Sequence, residues 1–391
     1  MSLRTDPAGF SLPAVAVAPF RGLGRLPLLG LLVAFTVSLP AAEQSPPFRE
    51  GFRLALPGYT FEFPRDHGSH DAYRTEWWYY TGHLLTRGGR RAGFELTFFR
   101  VGIVPPASPP ATGWDLRNLA LAHFAVSDLD RKEFRYYEKL NRSSRFTAEA
   151  RSGRLDVFNE GWSARGLPNG EIRIIASAGG DSIDLVLRPQ KPPVIHGENG
   201  ISVKAPGIGF ASHYYSFTRL SARGSVTLGG RQEECEGLAW MDHEFGSSVL
   251  RENQQGWNWF SIQFDNDTEL MLYQIRRADG SPDVTSSGTL VLADGNVIHL
   301  RREQFTIKPV GRWTSPRSRA SYPMGWKIEV MPLDISLTID AEFPAQELIT
   351  SASTGVTYWE GAVRASGRFG GTPIRGAGYV EMTGYDRPFG R

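Results

Sequence analysis

Cysteine is nearly absent. Cys235 is the single one among 391 residues, so no internal disulfide can form and no cysteine-rich metal site is available. It sits in Glu-Glu-Cys-Glu-Gly (233–237), where neighbouring acids raise a thiol's pKa and disfavour a thiolate nucleophile. An excess of either charge is also missing. Lys and Arg number 43 against 41 Asp and Glu, for a net +2. No basic stripe interleaved with aromatics appears, which argues against a nucleic-acid partner. There is no Gly-x-Ser-x-Gly, and no helix pattern follows a candidate serine as a nucleophile elbow requires. No phosphate-cradling or dinucleotide glycine loop precedes a helix. Long 3.6-residue periods are scarce, while glycine (43) and proline (26) are frequent.

What the chain does have is alternation. Segments 93–103, 119–129, 171–178, 181–189, 224–230 and 269–277 read as strands, separated by Gly, Asn and Asp turns. Many short strands with frequent turns indicate an all-β protein, barrel or sandwich. The proline-rich 105–113 is a loop, and Phe134–Phe146 reads as a short helix or a long connection between strands. Near the N-terminus, Arg21 and Arg25 precede an apolar run from Leu26 to about Leu39, then Ala41 and Ala42. That order is expected of an export signal cleaved near Ala42, with an uncleaved anchor as the alternative. It points to a periplasmic or secreted protein. No cysteine follows the run, which argues against a lipid-anchored lipoprotein.

An internal repeat organises the remainder. Glu-Trp-Trp-Tyr-Tyr (76–80) and the strands after it match Gly-Trp-Asn-Trp-Phe (256–260) and its followers. The closing segments match too, with Gly-Leu-Ala-Trp-Met-Asp (237–242) against Gly-Ala-Gly-Tyr-Val-Glu (376–381). Two tandem β units are therefore expected, 50–250 and 251–391. In each, the first and last strands should pair and remove the exposed edges of an open sheet.

The blocks 63–84, 237–247 and 256–266 resemble the AttH-like group, related to carotenoid 1,2-hydratase (hydroxyneurosporene synthase). The resemblance covers nearly all of the chain after residue 50. It implies two lipocalin-like antiparallel β-barrel domains joined end to end, and bacterial export. Members of the group are described as polyene hydratases, as secreted hydrolases and as accessories of ABC-type transport, and fungal relatives are linked to ring closure and flavonoid hydration. Fold alone does not choose among these.

The resemblance makes Asp242 the proton donor to an alkene. Such an acid needs a pKa raised by an apolar pocket. The carbocation it creates would be stabilised by aromatic faces such as Trp257, Trp259 and Tyr273. On a strand, Trp240, Asp242 and Glu244 share one face, and Met241, His243 and Phe245 the other. His213 could orient Asp242 or contact ligand. The alternative for Asp242 and Glu244 is an ion-pair network at the domain junction.

Asp-His-Gly-Ser-His-Asp (66–71) has His-x-x-His spacing, but two histidines in a Gly/Ser loop make a weak metal motif. A barrel-capping loop is the expected role, although His67, His70 and His243 could converge. No metal and no cofactor are expected. Aromatics from 77 to 80 occupy both faces of their strand. One face should fill a barrel and the other needs cover, from the second unit or from the segment around Phe61 and Phe63. Glu76 has Gly256 as its counterpart, so the fold does not itself demand an acid there. Glu76 and Trp78 are expected on the junction side with Asp242, and Trp77 and Tyr79 on the other. The site expected is thus Asp242, His213, Glu244 and Tyr273 for chemistry, with Glu76, Trp78, Trp240, His243, Trp257 and Trp259 around the ligand. Two functions remain open: a hydro-lyase acting on an apolar isoprenoid or polyene, or a carrier of a hydrophobic ligand working with an ABC transporter.

Overall fold

The computed structural model describes residues 51–108, 116–247 and 250–389. The N-terminal segment read as an export signal lies outside the described residues. The first sheet holds β1 (Thr75–Thr86), β2 (Arg91–Gly102), β3 (Asn118–Asp128), β4 (Glu133–Arg142), β5 (Ala148–Ala150), β6 (Asp156–Asn159), β7 (Trp162–Gly166), β8 (Ile172–Ala178), β9 (Asp181–Pro189), β10 (Val194–Ile195), β11 (Ser202–Val203), β12 (Ala211–Leu228) and β13 (Arg231–Gly246). The second holds β14 (Gln254–Phe264), β15 (Glu269–Arg277), β16 (Ser287–Val291), β17 (Val297–Arg301), β18 (Phe305–Thr314), β19 (Ser321–Val330), β20 (Ile335–Ala341), β21 (Glu347–Ile349), β22 (Thr357–Phe369) and β23 (Thr372–Thr383). The first curls into a nearly closed barrel and the second into a half-barrel, lipocalin-like in both cases. Both lie in one compact unit.

The opening and closing strands of each sheet pair as the repeat predicts. β1 runs antiparallel to β13, and β14 to β23. The first barrel's ends, β4 and β5, are the outer strands of its sheet order. Side chains bridge that seam: the Lys139 ammonium donates to the Glu160 carbonyl at 2.7 Å and Tyr137 donates to Asp181 at 2.8 Å. Phe134–Phe146 is not helical; most of it is β4, paired along its length with β3. Its adjacent Tyr136 and Tyr137 favour a pleated surface over a helix.

Strand alternation sorts the side chains into three layers. Trp78, Tyr80, Phe94, Leu96, Phe98, Phe124 and Met241 fill the barrel. Phe260, Trp326, Trp359 and Val380 fill the half-barrel. The opposite faces of the same strands meet each other: Tyr79, Tyr214, Trp240, Trp259, Met271, Tyr273 and Tyr379 form a third buried cluster between the sheets. Gly93 belongs to that contact, because a Cβ there would strike the Tyr379 hydroxyl. Tyr59, Phe61 and Tyr73, from the segment before β1, cover the first barrel's end against Phe245.

Candidate active site

Two facing rows of side chains define the junction. Residues directly opposite in an antiparallel pair share a face. In the first sheet the row runs Ser216, Asp242, Tyr79, Thr97, His123. In the second it runs Glu360, Glu381, Trp259, Tyr273, Ser287. Asp242 and Glu381 hold equivalent places, as do Tyr79 and Trp259. The rows are stitched across the gap: Tyr79 donates to Glu360 at 2.7 Å, and the Trp259 indole donates to Tyr214 at 3.1 Å. His123 bonds the Tyr358 hydroxyl at 2.6 Å.

Asp242 is 4% exposed among Trp240, Tyr214 and Trp259. Its Oδ1 accepts from the Ser216 hydroxyl and, at 2.7 Å, from the Trp240 indole. Burial pushes its pKa up to about 7; the two donors oppose the rise and the Glu244 charge adds to it. Glu95 is likewise raised to about 7 by burial, against a hydrogen bond from Thr97. Burial raises Glu360 well above the usual range, reinforced by Glu381 and Glu95. Glu381 is partly exposed, and desolvation lifts it to about 7 despite the Trp257 indole bond. Lys204 pairs with Glu244 at 2.8 Å, and among the described residues no ion pair reaches Asp242, Glu95, Glu360 or Glu381. A buried carboxyl with no cation avoids the cost of an isolated charge by holding its proton. The junction is therefore stocked with carboxylic acids that hold their protons to higher pH than usual, a condition for donating them.

The other face of β1 and β13 carries a different network. Glu76 Oε1 accepts from His70 at 2.8 Å and His243 at 2.9 Å, and Oε2 accepts from Arg100 at 3.0 Å. Burial disfavours the Glu76 charge, but Arg100 and the two imidazoles outweigh it and hold the carboxyl well below its usual range. Donor atoms of His70, Glu76 and His243 lie within 4.8 Å of one another. The geometry suits hydrogen bonding better than a metal: both imidazoles aim at one oxygen, and the Arg100 cation holds the other. His67 stays outside this group and bonds Tyr215 at 2.7 Å. A cleft of about 410 Å³ opens beside this cap, lined by Tyr59, Arg65, Asp66, His70 and Tyr73 among others. Several of its charges pair, Arg65 with Asp66 and His70 with Asp66 and Glu76.

The structure thus brings together Asp242, Glu244, Trp240, Trp257, Trp259 and Tyr273 at the junction. It places four expected residues elsewhere. Glu76 and His243 belong to the capping network, and Trp78 fills the barrel, its indole bonded to the His67 carbonyl at 3.0 Å. His213 is one residue out of phase with Asp242's partner Ser216; it bonds the Gly200 carbonyl at 2.7 Å and stacks near Tyr59. The expected sides of β1 are reversed, with Trp77 and Tyr79 at the junction. Sequence reasoning missed Glu95, Glu360 and Glu381 as site residues. The signal was present: each is an acid set among apolar neighbours in a strand, and the repeat sets Glu381 against Asp242.

Comparison with known proteins places the chain in a family. A family model described as AttH-like matches residues 54–385. The dehydratase asqC of Emericella nidulans is 21% identical over 283 residues, spanning 66% of this chain and 75% of that protein. Among solved structures, a candidate AttH protein from Nitrosomonas europaea is 33% identical, covering 85% of this chain and 99% of that one, with a TM-score of 0.77. Kievitone hydratase of Nectria haematococca shares the fold at 15% identity and a TM-score of 0.65, over 84% of this chain and 93% of that one. The family match runs through both sheets and across the junction, and the chain belongs to the AttH-like family.

Proposed function

We propose that the protein is a hydro-lyase that adds water to, or removes it from, an apolar isoprenoid or polyene at the junction between its sheets. The observation that carries this reading is Asp242: a buried carboxyl with no cationic partner, ringed by aromatics, whose pKa is lifted to about 7. A hydratase working through a carbocation needs an acid that keeps its proton near neutrality. Asp242 gives that proton to the less substituted alkene carbon, and the π electrons form the new C–H bond. Aromatic faces such as Trp240, Trp259 and Tyr273 stabilise the cation until water adds. Glu244 is held beside the acid by Lys204 and Ser212. The family match and the hydratase and dehydratase among its relatives support the reaction class. A carotenoid with terminal trisubstituted alkenes is the substrate we favour within the class, acted on after export across the inner membrane.

The test is direct. Purified protein is incubated with lycopene in detergent micelles and with a dimethylallyl-substituted phenol, in ¹⁸O-labelled water. The reading expects a product heavier by one labelled water; unchanged substrate and no loss of water from the corresponding tertiary alcohols would contradict it.

A further inference from the structure

We propose that the cross-strand pair Glu360–Glu381 is a second proton-handling site of the junction, taking the proton of the attacking water while Asp242 supplies the proton to carbon. This inference rests on the hydro-lyase reading. Addition of water needs both events: one proton must arrive at carbon and another must leave oxygen. Asp242 has just given its proton away when water attacks, and it lies in the first sheet's row. The facing row offers the pair.

Glu360 and Glu381 stand directly opposite each other on β22 and β23. Side chains so placed have Cβ atoms about 4.5–5.5 Å apart, and like charges there repel. Glu360 Oε1 accepts the Tyr79 hydroxyl from the opposing sheet at 2.7 Å. Its Oε2 has no hydrogen-bond partner, though the residue is 1% exposed. A buried oxygen left bare is unfavourable unless something fills the place. The Tyr273 hydroxyl, on the same row, is buried and equally bare. Glu381 is partly exposed beside a partly exposed Trp257, whose indole it holds at 2.9 Å. The row thus runs from a partly exposed Glu381 to an enclosed, unsatisfied oxygen at Glu360, and a water entering by Glu381 finds acceptors waiting.

Among the described residues no ion pair reaches the pair. The groups facing it are Tyr79, Tyr379, Glu95, Asp242 and Glu244, all neutral or acidic. Like charges so placed repel, so the two carboxyls resist ionising together: one keeps a proton and the other is left as base. In hydration the alkene π pair takes the Asp242 proton, a water lone pair forms the C–O bond, and the O–H bond breaks with its proton passing to the pair. Solvent at the Glu381 edge then carries that proton away and Asp242 is reprotonated. In dehydration the pair protonates the leaving hydroxyl and Asp242 takes the carbon-bound proton. The pseudo-symmetry supports the division of labour, since Glu381 repeats Asp242 and Glu360 replaces Ser216.

The experiment compares wild type, Asp242→Asn, Glu360→Gln and Glu381→Gln with lycopene in D₂O. It follows water addition together with deuterium entering the terminal groups of recovered substrate. The Glu variants should lose roughly 10²-fold or more of water addition while deuterium exchange, which needs only Asp242, persists. Asp242→Asn should lose both. Full water addition by both Glu variants overturns the pair's role and leaves the hydro-lyase reading standing. If wild type carries out neither reaction, on lycopene or on the dimethylallyl-substituted phenol, the hydro-lyase reading itself fails. A second measurement needs no substrate. Infrared difference spectra of wild type minus each Glu variant at neutral pH should contain a carboxylic-acid C=O stretch that disappears on raising the pH, and its absence from wild type would overturn the shared proton.

Discussion

Asp242 and Glu381 occupy one place in two copies of the same strand pairing. Tyr79 lies opposite the first and Trp259 opposite the second. The two copies meet face to face, so a single repeated position supplies acids to both walls of the junction. Among the described residues neither acid has a cation partner. The resulting demand on the protein is that protons stay on carboxyls that would lose them in water.

That demand fixes a pH dependence. Asp242 keeps its proton in the folded state up to about pH 7, whereas an unburied aspartate loses it near 3.8. The folded form binds the extra proton within that window, so this residue's contribution to stability is greatest below it and declines as pH rises through it. Asp242→Asn removes the decline. Measured by urea denaturation, the variant should gain about 2 kcal/mol relative to wild type between roughly pH 5 and pH 8. Equal differences at both pH values would show that Asp242 ionises as an ordinary surface acid.

Tyr79→Phe should be costly for a conservative change. It strips the 2.7 Å bond from Glu360, whose other oxygen already lacks a partner. The expected loss is about 1–3 kcal/mol in the denaturation midpoint analysis, with the fold retained by circular dichroism. A neutral result would mean that solvent satisfies Glu360.

The capping network should respond in the opposite sense to acid. Glu76 is held below its usual range by Arg100 and the imidazoles, so its stabilising contribution is present above the unfolded carboxyl pKa. It is lost as pH falls through the folded value. Arg100→Ala leaves a buried carboxylate short of its cation and should cost about 3–5 kcal/mol. Its acid-unfolding midpoint should move to higher pH. An unchanged acid midpoint would show that the pair contributes nothing to acid resistance.

Chelation offers an independent check on the same cluster. Arg100 occupies the Glu76 oxygen that the imidazoles leave free, so dialysis against EDTA should leave the melting temperature unchanged. A drop restored by zinc would instead make His70, Glu76 and His243 a structural metal site.

Much of the fold is legible in the sequence, because it rests on a repeat and on alternation. Matching Trp77 with Trp257 and Asp242 with Glu381 predicts the pairing of first and last strands in each sheet, and both pairings occur. Alternation also separates Trp240 and Asp242 from Met241 and His243 correctly. It cannot say which set turns toward the other sheet. Both sides of β1 are aromatic, and the choice depends on where the second sheet and the Tyr59–Tyr73 segment come to rest. Glu76 and Trp78 fall on the other side for that reason, and His213 and His243 lie on strand faces turned away from Asp242. Glu95 and Glu360 escape notice because an acid in an apolar strand becomes informative only once its face is known to be covered and uncharged.

The central claim is that Asp242 delivers the proton that starts the reaction. The most direct measurement is the pH dependence of lycopene hydration by wild type, set beside Asp242→Asn at the same pH values. The account predicts that wild-type kcat/KM falls as pH rises past about 7, with the Asp242 titration, and that Asp242→Asn loses roughly 10²–10⁴-fold at every pH with that limb abolished. A variant as active as wild type, or one that keeps the same alkaline limb, would contradict it.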